Sequence, residues 1–273
     1  MKKIVVVGLG IIGGSICASL TAAGYPVDGF ESNPQSVEYA LKAGYIQSQA
    51  KDLSQYDVVF IAVPPQATIE YLDKAVFKDG ALVADICGVK EIMEKTVYAK
   101  QRNYRYVGLH PMAGKEVSGI VAASATLFQK ANLIITRAKQ TDIRAIDEVQ
   151  TYAKAMGFGN IIECSASKHD KKIALTSQLA HIVSNAYVKS PQVKDYEGFT
   201  GGSFQDMTRI AGVDENVWTP LYVYNRDNVI TELNLLIDNL TEYRDALTSQ
   251  DDERLKQTLR QGRLIREKIK KNN

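Results

Sequence analysis

Three histidines, His110, His169 and His181, are the side chains of this sequence suited to moving a proton near neutral pH. His110 follows the apolar run Tyr106-Val107-Gly108-Leu109 and opens His-Pro-Met-Ala-Gly-Lys. Pro111 stops that strand and leaves the imidazole at its carboxyl edge, where it could accept a hydroxyl proton during hydride transfer. His169 and His181 stand twelve residues apart on one helical pattern, Ser167 to Val188, about 120° apart around the axis. His181 shares a face with Ser177 and Gln178, and a polar stripe on a packing helix either lines a cavity or satisfies a buried partner. His169, in a polar first turn with Lys168, Asp170 and Lys171, reads as surface. Arg209 lies among apolar residues and glycines, and its fork of donors suits a substrate carboxylate; an ion pair with Asp206 is the plainer alternative. Lys90 and Lys115 follow strand ends and either add positive potential for an anionic substrate or are surface charges.

These side chains need a frame. Ile4-Val5-Val6-Val7 is a buried parallel-strand pattern that runs into Gly8-Leu9-Gly10-Ile11-Ile12-Gly13, with a helix from Ile16 to Ala23 behind it. In that order the glycines have separate tasks: Gly8 permits a tight turn, Gly10 lets a pyrophosphate approach the backbone, and Gly13 lets helix and strand pack closely. The helix N-terminus offers free N–H groups and a dipole that favour phosphate, and Ile11 and Ile12 of the turn join the candidate cofactor contacts. A second strand, Pro26 to Phe30, ends in Glu31, about twenty residues beyond the glycines, as ribose recognition asks. A carboxylate there accepts from ribose hydroxyls and repels a 2′-phosphate, which favours NAD over NADP; its plainer reading is a solvated strand-end acid.

Further strand patterns follow at Asp57–Val63 (stopped by Pro64-Pro65), Ala81–Ile86, Tyr106–Leu109, Asn132–Thr136 and Asn160–Ile162, with a helix over Asp142–Met156. Alternating strands and helices predict a parallel, Rossmann-type sheet over 1–165, with ligands outside the strands' carboxyl ends. Val63 and Pro64 therefore join the candidate cofactor contacts. Past Ser165 only helical patterns remain, so 166–273 is expected to be an all-helical substrate and dimerisation domain. Val229, Leu233, Leu236, Leu240, Tyr243 and Leu247 form an apolar seam within a helix from Trp218 to about Leu247, suited to a homodimer interface or an intrachain bundle. Ser249 with Asp252 reads as a capping-box start for the last helix.

Composition excludes several classes. The 273 residues carry 33 Lys and Arg against 31 Asp and Glu, a net charge of +2, too even for a dedicated nucleic-acid or membrane-surface protein. Cys17, Cys87 and Cys164 are odd in number and lack metal spacing, which points to a reducing, cytoplasmic setting with neither disulfide framework nor metal site. The first apolar run is broken by glycines at once and is neither a signal peptide nor a membrane span.

The sequence resembles the prephenate/arogenate dehydrogenase family of tyrosine biosynthesis nearly end to end. The resemblance rests on Gly8-Leu-Gly-Ile-Ile-Gly-Gly-Ser15, Ala62-Val-Pro64, Asp85-Ile-Cys-Gly-Val-Lys90, His110-Pro-Met-Ala-Gly-Lys-Glu-Val-Ser-Gly119, Ser177-Gln-Leu-Ala-His181 and Asp206-Met-Thr-Arg209. It implies that His110 hydrogen-bonds the hydroxyl of the substrate ring, that Arg209 and His181 hold its carboxylates, and that a helical domain builds a dimer. It also implies that His169 matches a further family histidine, with no defined role. Many relatives carry Gly-Ser where this chain has Cys87-Gly88, so the hydroxyl that assists the catalytic histidine is missing here. Neither a fused chorismate mutase nor an ACT-type regulatory domain is expected. The implied reaction is oxidative decarboxylation of prephenate with NAD; the alternatives are arogenate as substrate, an NADP-dependent imine or hydroxyacid reductase, and a catalytically silent NAD-binding sensor dimer.

Overall fold

The computed structural model describes residues 1–114 and 117–271, so Lys115 lies outside the described residues. Short runs, apolar and rich in β-branched residues at β1 and β3 and more mixed in the others, form the strands β1 (Ile4–Val7), β2 (Val27–Phe30), β3 (Val58–Ile61), β4 (Leu82–Asp85), β5 (Arg105–Pro111), β6 (Asn132–Thr136) and β7 (Asn160–Cys164). They make one seven-stranded sheet in the order β2-β1-β3-β4-β5-β6-β7. The helices of this part are α1 (Ile11–Ala22), α2 (Pro34–Lys42), α3 (Pro65–Lys74), α4 (Glu91–Tyr98) and α5 (Ile143–Ala155).

Side-chain alternation along β1 divides the core in two. Ile4 and Val6 pack on one face with Leu20 and Ile146, and Val5 and Val7 on the other with Leu72 and Met93. Both faces are covered, as a parallel sheet requires. The sheet is not wholly parallel, however: β6 runs antiparallel to β5, pairing Leu109 with Ile135 and His110 with Ile134, and β7 follows β6 in parallel. Among its described residues the connection from Met112 to Ala131 holds no crossover helix, only one short helical turn at Ile120–Ala122 and turns over 125–130, and none of these returns the chain to the starting edge of the sheet.

That reversal decides what lies beside His110. β1 to β5 end together at one edge, whereas β7 ends at the other. The next helix, α6 (Ala166–Ile173), starts there and packs on β6 and α4. The helical run continues through a wide-turned π segment, Ala174–Leu179, into α7 (Ala180–Tyr187), followed by α8 (Gly202–Thr208) and α9 (Glu215–Tyr224). Among the described residues, those beyond Cys164 form no strand, as the sequence predicts.

The chain divides into two compact units, Met1–Asn225 and Arg226–Asn273. The switch from mixed to helical architecture at 165 and the break in compactness at 225 therefore fall at different places. The second unit holds α10 (Arg226–Thr248) and α11 (Asp252–Lys271), which pack on each other. Two expectations change here. The helix expected from Trp218 is interrupted at Asn225, so Trp218 belongs to α9. Asp251, not Ser249, caps α11 by accepting from the Arg254 N–H, while the Ser249 hydroxyl donates back to the Asp245 carbonyl. Among the described residues no helix is long and apolar enough to cross a membrane.

Candidate active site

β5 carries His110 to the sheet edge, and there it lines a cavity of about 760 Å³ together with Gly88, Ser177, Gln178, His181, Arg209 and Trp218. Three separate elements thus bring His110, His181 and Arg209 together, though not Lys90: a strand end, the π segment with α7, and the end of α8. His181 sits four residues beyond Ser177, whose carbonyl lies 2.9 Å from its Nδ1, and its ring lies 3.9 Å from that of Trp218. Trp218 has no separable signal in the sequence, where it reads only as the start of a helix running to about Leu247.

A π segment, Ala174–Leu179, lies between His169 and His181. An angle taken at 3.6 residues per turn does not carry across six residues of wider turn, a feature frequent at functional sites. His181 faces the cavity, while His169 lies behind His110, with His169 Nε2 2.8 Å from His110 Nδ1. His169 is therefore not a surface residue. Ala166, His169, Asp170 and Ile173 are the buried residues of α6, spaced as one helical face, with two polar side chains where apolar ones would ordinarily pack. That spacing was the available signal.

Both oxygens of Asp170 are engaged. Oδ1 accepts from the Lys90 N–H at 2.9 Å and lies 2.6 Å from His169 Nδ1, and Oδ2 accepts from the Glu91 N–H at 2.9 Å. Asn225 ties this residue back to the cavity wall, its Nδ2 donating to the Asp170 carbonyl and to Gln178 Oε1. Burial, reinforced by the charges of His169 and Lys90, holds the His110 pKa well below the ordinary histidine value. Burial also lowers that of His169, outweighing the opposing effect of Asp170. Both rings are neutral at pH 7, as a waiting base must be.

Lys90 requires a correction. It was expected as a substrate ligand, but it is wholly buried and its ammonium pairs with Asp85, whose other oxygen accepts from the Tyr106 hydroxyl. A buried carboxylate needs a counter-charge, and that pairing fixes the lysine away from the cavity. Cys87 is buried as well, burial pushes its thiol up to about 12, and its side chain is not among those lining the cavity. At Gly88 a Cβ would stand 3.8 Å from His110 Nε2.

The glycine-rich turn has the shape a dinucleotide requires. A Cβ on Gly13 would lie 1.9 Å from the Gly8 carbonyl oxygen, and one on Gly8, whose φ is +88°, would meet Ala62. One on Gly10 would meet nothing within 4 Å, so backbone beside it is open to a ligand. No side chain caps α1, which starts at Ile11 with Ile12 next, leaving its first N–H groups for an anion. Gly8, Glu31 and Val63 line an adjoining cavity of about 360 Å³, and Pro64 opens α3 beside it. Burial alone would raise the Glu31 pKa, but the N–H groups of Leu9, Asn33 and Ser32 outweigh it and keep the carboxylate ionised. The residues present fit a dinucleotide.

Residues 18–162 match the family model "Prephenate dehydrogenase, nucleotide-binding domain", and residues 165–261 match "Prephenate dehydrogenase, dimerization domain". Over 98% of its length the chain is 30% identical to a prephenate dehydrogenase of Lactococcus lactis, covering 77% of that protein. Among solved structures, prephenate dehydrogenase from Aquifex aeolicus in complex with hydroxyphenyl propionate and NAD+ superposes with a TM-score of 0.86 at 26% identity, over 98% of both chains. An arogenate dehydrogenase from Synechocystis superposes with a TM-score of 0.80 at 25% identity, over 98% of this chain and 99% of that one.

Proposed function

This chain belongs to the prephenate dehydrogenase family, and from that premise we propose that it oxidatively decarboxylates prephenate to 4-hydroxyphenylpyruvate with NAD+ as oxidant. The observation that carries the reading is the convergence of His110, His181 and Arg209 on one cavity. Prephenate brings two carboxylates and one ring hydroxyl, and the cavity offers two carboxylate partners and one neutral base.

His110 takes the hydroxyl proton as the C–H bond of the carbinol carbon breaks. Bound NAD+ supplies the hydride acceptor. Loss of carbon dioxide from the opposite ring carbon sends its bonding pair into the ring, which becomes aromatic, and His110 returns its proton to the phenolate oxygen. Aromatisation drives the reaction forward, so the residues mainly have to orient the substrate and keep the base unprotonated. Arg209 offers a bidentate grip on one carboxylate, and His181, whose Nδ1–H is taken by the Ser177 carbonyl, would meet the other through an Nε2–H carried by its protonated ring.

Gly8, Gly10, Ile11, Ile12, Gly13, Glu31, Val63 and Pro64 form the dinucleotide site in this reading. The ionised Glu31 supports NAD over NADP, although Ser32 and Lys51 line the same cavity, and the ratio of kcat/KM for the two cofactors measures the preference. We assign 1–165 to dinucleotide binding and 166–273 to substrate binding and to a homodimer. Exposed apolar residues on α10 and α11, among them Leu235, Leu240, Leu259 and Ile265, support that dimer. The free Cys17, Cys87 and Cys164 support a reducing, cytoplasmic setting.

The test is formation of NADH from NAD+ with prephenate and, separately, arogenate. Turnover with prephenate is expected. Turnover with arogenate alone would transfer the assignment to that substrate, and NAD+ binding without NADH from either would leave a sensor.

A further inference from the structure

We propose that His169 and Asp170 are positioning residues that hold His110 as the Nδ1–H tautomer, so that its bare Nε2 faces the cavity. The inference rests on His110 being the base of the reaction.

Proton counting along the chain of hydrogen bonds starts at Asp170. Backbone N–H groups can only donate, and Lys90 and Glu91 each donate one to this carboxylate, at 2.9 Å in both cases. These two N–H groups stand at the beginning of α4, where the helix dipole also favours negative charge. The carboxylate is therefore an anionic acceptor. His169 Nδ1, 2.6 Å from Asp170 Oδ1, must then carry the hydrogen. A neutral imidazole has one N–H and one lone pair, so His169 Nε2 is left as an acceptor. His110 Nδ1, 2.8 Å away, must then supply the hydrogen of that contact. The His110 proton is thereby fixed on Nδ1, and Nε2 keeps its lone pair.

The geometry at the other end agrees. The Nε2 side of His110 lies toward Gly88, where a Cβ would stand 3.8 Å from Nε2, and Gly88 and His110 line the same cavity. The free lone pair is presented where a hydroxyl could meet it. A reversed tautomer would put two lone pairs together at the His110–His169 contact and offer the substrate an N–H instead of a base. Polarity at the catalytic atom is thus set by two backbone amides on α4, through a carboxylate and a second ring. Burial of His169 and Asp170 keeps water from scrambling it.

Because the chain holds only three histidines, its ring-nitrogen spectrum is simple. The experiment is long-range ¹H–¹⁵N correlation NMR of the full-length, ¹⁵N-histidine-labelled protein at neutral pH, without ligands, with signals assigned by His181→Asn and His110→Asn. His110 and His169 are both expected in the Nδ1–H form. In His169→Leu, His110 should lose that form and kcat should fall roughly 10- to 100-fold with little change in KM. In His169→Gln, whose amide oxygen can accept the same hydrogen, the Nδ1–H signature should persist and most of the rate return. A wild-type His110 with hydrogen on Nε2 overturns the inference, as does a His169→Leu protein whose His110 keeps its Nδ1–H form. If the leucine variant does not fold, the wild-type spectrum decides. The tautomer is read without substrate, so its failure is separate from a failure to oxidise prephenate.

Discussion

Gly88 lies against His110 closely enough that a side chain would enter ordinary contact with the ring: a Cβ would stand 3.8 Å from Nε2 and 3.4 Å from a methyl group of Leu221. The position has room, and its φ is not in the left-handed region. Gly88→Ser should therefore fold with a stability within about 1 kcal/mol of the parent and retain turnover within roughly tenfold. Urea unfolding and initial rates check this, and collapse of the fold would show that the pocket wall is tighter than its geometry implies.

Lys90 tests the difference between a substrate ligand and a buried counter-ion. Lys90→Met leaves Asp85 ionised, buried and without its partner, a change that costs about 3 to 5 kcal/mol. The expected result is a large drop in the denaturation midpoint. A stable protein with a raised KM for prephenate would restore Lys90 to the substrate site.

Arg209→Ala should act on substrate affinity. Loss of a charged, bidentate partner costs about 1.5 to 3 kcal/mol, which corresponds to a KM raised roughly ten- to hundredfold. NAD+ affinity should not change. A loss confined to stability, with KM intact, would make Arg209 a structural residue.

Two depressed histidine pKa values make stability depend on pH in a definite direction. In the unfolded chain His110 and His169 titrate near 6.5, whereas in the folded protein both lie lower. Below pH 6.5 the unfolded chain binds protons that the native rings refuse. Stability is thus complete above 6.5 and declines as pH falls toward the folded values, by up to about 1.4 kcal/mol per pH unit for each ring. Urea titrations from pH 7.5 to pH 5.5 should show that decline, and it should be shallower in His169→Gln. A flat profile would mean that the rings protonate normally in the native state.

Local sequence revealed what local physics determines. The glycine-rich turn, Glu31 and His110 all sit on or next to the strands that place them, so pattern alone put them at strand ends, although β5 runs on through Pro111 rather than ending at Leu109. Long-range pairing was hidden. Antiparallel β6 depends on what the segment after Pro111 does not form, and two buried polar residues on α6 looked like a solvated first turn because their partners, Lys90, Glu91 and His110, lie far away in the chain. Lys90 was misplaced for the same reason, since Asp85 could be seen as its counter-ion only once both were known to be buried.

Whether His110 is the base is decided by comparing His110→Asn with the parent in one experiment: NAD+ affinity by titration and NADH formation from prephenate on the same preparations. A general base contributes roughly 10²- to 10⁴-fold, so NAD+ affinity should be preserved while kcat falls by that factor. Undiminished turnover in the asparagine variant would contradict the assignment.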